Sequence, residues 1–353
     1  MTTSLPNDMQ RALMTGIRSL RYDLVPVPQP APGEVLVRVH HVGVCGSDLH
    51  YYADGRIGDF VVDGDFVLGH EAAGEVVALG EGVDSLSVGQ LVAMEPGIPC
   101  GRCRHCLSGR YNLCPDVIFW ATPPVGGVFQ EYVTHPAWLC FPLPEGMSTI
   151  EGAMIEPLAV GWHASNLSNA KIGQTAVILG AGCIGLMNLL ALRARGLRQI
   201  HVIDRLPLRL GRAASLGAAS VINNAQTDPV AAVMEATDDR GADLVFENAG
   251  HPLTTALTAE LVARGGTIVL TGMAADPRVT YNFGPLMSRE ATIRTVFRYH
   301  GCYPAAIEAV SSGLAPVLDV VSDIRAFSEL ESALADNLDR KAEIVKMVID
   351  MRA

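Results

Sequence analysis

The chain has 353 residues, 49% of them hydrophobic and 18% charged, enough to bury a sizeable core and, by length, to form about two domains. Its formal net charge of −11, with no run of five or more like charges, argues against a nucleic-acid or anionic-membrane partner and leaves small-molecule chemistry as the expectation. Residues 1–16 show neither the basic n-region nor the apolar h-region of a secretory leader, so a cytoplasmic protein with reduced thiols is expected.

In chain order, Pro26-Val-Pro-Gln-Pro30-Ala-Pro32 reads as a stiff, extended connector. From about residue 33 to 140 the pattern is of strands broken by glycine turns: Val35, Val37 and Val39 alternate, and residues 74–80 form another apolar run bounded by glycines. Within this β-rich stretch stand Cys45, His70 and Glu71, a thiol, an imidazole and a carboxylate. Taken singly, each is more often a core residue than a ligand.

Cys100-Gly-Arg-Cys103-Arg-His-Cys106 followed by Cys114 is a stronger signal, because four thiolates at this spacing can enclose one tetrahedral Zn²⁺. Disulfides are the competing reading, disfavoured by the missing leader. A sphere closed by Cys100, Cys103, Cys106 and Cys114 has no open position, so this metal should fold a loop, and the chemistry must lie elsewhere.

Near residue 171 the grammar changes. Residues 175–179 form an apolar strand, a glycine turn and a helical segment follow, and residues 200–203 form a second strand, which together make a βαβ unit. The apolar run 175–192 approaches membrane-span length, but its three glycines and Asn188 suit a buried strand entering a helix. Strands at 242–246 and 266–270, separated by helical stretches such as 253–263, continue the alternation that builds a parallel sheet. Gly180-Ala-Gly182-Cys183-Ile184-Gly185 is a G-x-G-x-x-G between strand and helix, where helix N–H groups can hold a pyrophosphate. Asp204 follows 19 residues after Gly185, where a carboxylate accepts from a ribose 2′-hydroxyl and repels a 2′-phosphate, which favours NAD; Arg205 beside it weakens the repulsion, and Arg209 is nearby. A tight turn without a ligand, with Asp204 merely capping the next helix, is the plainer alternative.

Together the Cys45, Gly69-His70-Glu71, four-cysteine and glycine-rich segments resemble the zinc-dependent medium-chain dehydrogenase/reductase superfamily. Asp48-Leu-His-Tyr-Tyr-Ala-Asp-Gly-Arg-Ile-Gly-Asp59, Ala121-Thr-Pro-Pro124, Ile155-Glu-Pro-Leu-Ala-Val160 and Phe297-Arg-Tyr299 resemble its polyol branch, the sorbitol, xylitol and related alditol dehydrogenases. The resemblance spans nearly the whole chain. It implies a GroES-like β domain from 1–158 and 297–353, discontinuous in sequence, and a Rossmann doubly wound domain at 159–296, with the active site in the cleft between them. It further implies a catalytic zinc held by Cys45 and His70, with Glu71 or Glu156 completing the shell directly or through water; which glutamate binds stays open. Ser47 and His50 stand at proton-relay positions, with zinc-bound water and Glu156 as an alternative route. Tyr51, Thr122, Arg298 and Tyr299 match positions that hydrogen-bond a polyhydroxylated substrate, although an Arg–Tyr pair alone is more often packing. Two zinc ions, NAD and a homo-oligomer, tetramer or dimer, complete the expectation.

Three other readings compete. A zinc dehydrogenase of another secondary alcohol or an amino alcohol such as threonine is opposed by the Y-Y-x-x-G-R-I-G-D and F-R-Y segments. A non-catalytic nucleotide-binding zinc scaffold would not need the open set Cys45, His70 and Glu156. Nucleic-acid binding through the lobe that carries Arg102, Arg104 and Arg110 is opposed by the overall acidity.

Overall fold

The computed structural model describes residues 5–273 and 278–353. They form two compact units, one running up to Glu156 and resuming at Val321–Ala353, the other Pro157–Val320.

The first unit is built on the strand Glu34–Val44. Its alternating Val35, Val37 and Val39 enter the main core with Val76, Val92, Phe129, Met347 and Ile349, while Leu36 fills a smaller cluster with Met9, Val27 and Tyr132. The seven-stranded sheet of described residues runs Cys140–Pro142, Leu91–Met94, Glu71–Leu79, Glu34–Val44, Met347–Asp350, Asp323–Ala326, with Tyr132–Pro136 also paired to the central strand. Register places Gly43 opposite Glu71 and Val44 opposite Met347, so three distant stretches of sequence meet at one end of the central strand. There the chain turns into the helix Gly46–Asp54, which starts at Cys45 and stops at Gly55, a left-handed residue at φ 69° whose N–H donates to the Tyr51 carbonyl at 2.8 Å.

The second unit carries a six-stranded sheet in the order Ser220–Asn223, Gln199–Asp204, Thr175–Leu179, Ala242–Glu247, Val262–Leu270, Thr292–Thr295. Every pairing in it is parallel. Numbered along the chain, this is the 3-2-1-4-5-6 order of a doubly wound nucleotide fold, and Val177, Leu179, Ile203, Val245 and Ile268 are buried within it. The strand expected at 266–270 begins at Val262, directly after the helix Pro252–Leu261, with Gly265 at φ 71°. The helical stretch expected to reach residue 263 is cut short because Val262 is β-branched and pairs with Ala242.

The domain division expected at 297 differs from the structure, in which 297–320 stays with the second unit. The helix Tyr303–Ser311 buries Tyr303, Ala306 and Val310. Asn166 Nδ2 lies 3.8 Å from Cys302 Sγ, and Arg212 NH1 donates to the Val320 carbonyl at 2.8 Å. An apolar helix can cover either core, and its sequence does not say which.

Candidate metal centres and nucleotide cleft

Cys45, His70 and Glu71 each offer one ligand atom, all within 4.8 Å of one another. The local fold explains the meeting. Asp48, buried in the first turn of the helix, accepts the Cys45 N–H at 2.9 Å through one carboxylate oxygen and the Gly69 N–H at 2.8 Å through the other. It thereby ties the loop that carries Cys45 to the loop that presents His70. Asp48 also lies 3.9 Å from His70 Nδ1, a buried atom with no hydrogen-bond partner. Burial works against a charge on His70, yet the Cys45 sulfur, Asp48 and Glu156 outweigh it and raise its pKa well above the ordinary value. A half-buried sulfur with a buried imidazole and a buried carboxylate, converging on one point, form a donor set suited to Zn²⁺.

Glu71 is 1% exposed and forms an ion pair with Lys346, itself 2% exposed, through Oε2. Lys346 Nζ also donates to the Val44 carbonyl at 2.9 Å. Room for this pair comes from Gly43, where a Cβ would lie 2.0 Å from Glu71 Oε2. Glu156, in the first turn of the helix Ile155–Ser168, is 5% exposed and acts on His70 and Glu95 electrostatically, but is not one of the three converging ligands. Asp48 and Lys346 were missed as site residues in the sequence. Lys346 carried one faint signal, a cation inside an apolar strand-like run.

The remaining first-unit positions lie on the helix that follows Cys45 and in a later turn. Ser47 is half-buried on the helix that begins after Cys45; His50, one turn on, is exposed and faces Asp54 at 3.5 Å. Tyr51 is buried, with its ring 6.1 Å from that of Phe66. Thr122 is half-buried in a turn, its N–H donating to the Phe119 carbonyl at 3.2 Å. Arg298 and Tyr299 lie in the second unit: the Arg298 guanidinium sits 4.9 Å from the centre of the Phe297 ring, and the buried Tyr299 ring is 5.9 Å from Tyr303.

Cys100, Cys103, Cys106 and Cys114 form a second ligand cluster, with Cys103 and Cys106 sulfurs 3.4 Å apart and Cys100 and Cys106 sulfurs 4.0 Å apart. None of the eight cysteines is in a disulfide. Backbone N–H groups of Arg102 and Cys103 pull the Cys100 thiol down to about 7, whereas burial and the Cys103 sulfur push Cys106 up to about 12. Four sulfurs packed this closely repel one another as thiolates, and a cation among them would relieve that repulsion. Tyr111, between the third and fourth cysteines, donates its hydroxyl to Glu95 at 2.8 Å and so fastens the lobe to the end of the strand Leu91–Met94.

In the second unit Gly180 sits at φ 94° with its N–H on the Ile203 carbonyl at 2.8 Å. A Cβ at Gly185 would lie 1.9 Å from the Gly180 carbonyl oxygen. Gly182 caps the helix Cys183–Ala194, so Cys183 and Ile184 open its first turn. Asp204 accepts the Ala181 N–H at 2.7 Å and the Leu206 N–H at 2.9 Å, which locks the glycine turn to the next strand. Asp204, Arg205 and Arg209 border a cleft of about 360 Å³ with Gly180 and Gly182. A glycine turn, a helix N-terminus and a carboxylate around one cleft fit a nucleotide pyrophosphate and ribose.

Two family models match the chain: the alcohol dehydrogenase GroES-like domain over residues 31–145 and the zinc-binding dehydrogenase over 183–312. The chain is 40% identical over 349 residues to the sorbitol dehydrogenase of Bacillus subtilis, covering 99% of both, and 39% identical over 316 residues to the D-xylulose reductase of Morganella morganii, covering 89% of this chain and 92% of that one. Among solved structures, an Escherichia coli oxidoreductase/dehydrogenase of unknown specificity superposes with a TM-score of 0.94 at 42% identity, covering 97% of this chain and 99% of that one.

Proposed function

The chain belongs to the polyol branch of the zinc-dependent medium-chain dehydrogenases, and we propose from that premise how its residues oxidise a secondary hydroxyl of an alditol to a ketose. It is an oxidoreductase acting on CH–OH, with zinc and a nicotinamide cofactor. The observation that carries the reading is the convergence of Cys45, His70 and Glu71 within 4.8 Å.

Cys45, His70 and Glu71 would hold a zinc that would supply a Lewis acid to lower the pKa of an alcohol, and the glycine-turn cleft would hold a nicotinamide cofactor whose chemistry is hydride acceptance. The chain's residues do the rest. Asp48 holds the two loops that present Cys45 and His70, and Lys346 engages Oε2 of Glu71 and so would fix that carboxylate as a ligand. Ser47, in the same helical turn as Asp48, and exposed His50 give the hydroxyl proton a path to water; Glu156 provides the alternative path beside His70. Tyr51, Thr122, Arg298 and Tyr299 are assigned to the hydroxyls that do not react, the feature that separates an alditol from a simple alcohol.

NAD is the assigned cofactor because Asp204 brings a carboxylate to the cleft lined by Gly180 and Gly182, and a carboxylate there would accept from a ribose hydroxyl and repel the 2′-phosphate of NADP. Two zinc ions per chain are assigned, one by Cys45, His70 and Glu71, the other by Cys100, Cys103, Cys106 and Cys114. A homo-oligomer in the cytoplasm is the proposed setting, and the exposed edge strand Thr292–Thr295 is a surface a second copy could cover.

A substrate panel tests the reading. Five- and six-carbon alditols should reduce NAD⁺ with kcat/KM well above that for ethanol or threonine. Equal turnover of ethanol, or preference for threonine, would refute the polyol assignment.

A further inference from the structure

Asn248 follows the strand Ala242–Glu247, and its backbone N–H donates to the Leu179 carbonyl at 2.8 Å, which places it where the strand order reverses. Both polar atoms of its side-chain amide are buried and neither has a hydrogen-bond partner. The residue lines the same cleft as Gly180, Gly182 and Asp204. One strand further out, Thr271 follows Val262–Leu270 and is held by its N–H on the Glu247 carbonyl at 2.8 Å; its hydroxyl is likewise buried without a partner. Thr271 borders a second cleft, of about 480 Å³, together with Tyr281 and Thr295.

Buried amides and hydroxyls are almost always paired, because leaving them unmet forfeits their hydration without return. Two such groups at the carboxyl ends of adjacent strands are therefore explained by a ligand that meets both. The topology says which part of it. Gly180 and Asp204 belong to the half of the sheet on one side of the reversal, where the adenosine half of a dinucleotide is held. The other mononucleotide must extend over the ends of Ala242–Glu247 and Val262–Leu270.

We propose that Asn248 hydrogen-bonds the phosphate and ribose of the nicotinamide half of the cofactor, and that Thr271, about 4.8 Å further across the sheet, hydrogen-bonds the nicotinamide itself. An amide offers both a donor for phosphate or ribose oxygen and an acceptor for a ribose hydroxyl, and a threonine hydroxyl can do the same for a carboxamide. This rests on the nicotinamide-cofactor reading above. It adds two specificity-determining residues that no glycine or acidic motif marks.

Calorimetric titration of the zinc-loaded full chain with NADH, ADP-ribose and AMP tests it without any turnover. Asn248→Ala should raise Kd about tenfold for NADH and ADP-ribose and leave AMP unchanged. Thr271→Val should weaken NADH by roughly fivefold and leave ADP-ribose and AMP unchanged. Because both groups are unpaired in the empty protein, Asn248→Ala should not lower the unliganded Tm, while the NADH-induced rise in Tm should shrink. An unchanged NADH Kd in both variants, or an unliganded Tm that falls as far as the liganded one, overturns the proposal and makes the residues structural. A wild-type chain that binds neither NADH nor ADP-ribose overturns the cofactor reading and the proposal with it.

Discussion

Glu71 and Lys346 are separated by 275 positions in sequence, yet they form one buried ion pair beside two other converging ligands. Removing one partner leaves an uncompensated buried charge, so Lys346→Met should cost about 3–5 kcal/mol of stability in urea titrations and lower zinc affinity in competition with a chelator. Lys346→Arg, which keeps the charge, should recover more of both. Gly43→Ala tests the same place from the other side: a Cβ there must displace Glu71 Oε2, so zinc affinity at the Cys45–His70–Glu71 cluster should fall while the four-cysteine cluster should keep its affinity. Asp204→Ser should raise the KM for NAD and admit NADP through Arg205 and Arg209; unchanged kinetics with both cofactors would remove Asp204 from cofactor choice. Asp204 was legible from its spacing after the glycine motif, whereas Cys45, His70 and Glu71 came only through the family resemblance, and the structure brings those three within reach of one another. Lys346 and Asn248 were not legible, since one depends on sheet register and the other on what its side chain fails to meet.

Among the elements, the four-cysteine lobe was readable from spacing alone, whereas its attachment was not. Tyr111 reaches out of the lobe to Glu95, whose carboxyl burial pushes to about 7 from an ordinary 4.5, with the Tyr111 hydroxyl pulling the other way. A carboxyl with a raised folded pKa holds its proton longer in the native state, so its contribution to stability is full below about 4.5 and is lost as pH rises through about 7. Glu95→Gln should flatten that part of the stability profile, by on the order of 3 kcal/mol across the window. His135, held down at about 4 by burial, acts in the opposite sense below 6.5, so the difference between wild type and variant, rather than either curve, isolates Glu95. No difference in slope between pH 5 and 7 would show that Glu95 is ionised throughout. At this scale the alternating strands and the βαβ pattern were legible. The return of the chain to its first unit was misplaced from Val321 to residue 297, because the intervening helix Tyr303–Ser311 has an apolar face that suits either core.

At the scale of the whole molecule, one unit gathers two metal-ligand clusters and the other a nucleotide cleft, and the chemistry requires both. The two clusters should differ in lability. An all-thiolate site holds zinc more tightly than one built of sulfur, nitrogen and oxygen, so mild chelation should remove one zinc of two and leave the circular dichroism unchanged. The most direct test of the account follows from that difference. Zinc is titrated back into mildly chelated protein while NADH production from a five- or six-carbon alditol is recorded. Activity is predicted to be absent after chelation and to return in proportion to added zinc, saturating at one equivalent per chain, with Cys45→Ser unable to recover. Full alditol oxidation by the chelated protein, or by Cys45→Ser, would contradict the assignment of Cys45, His70 and Glu71 as the catalytic metal site.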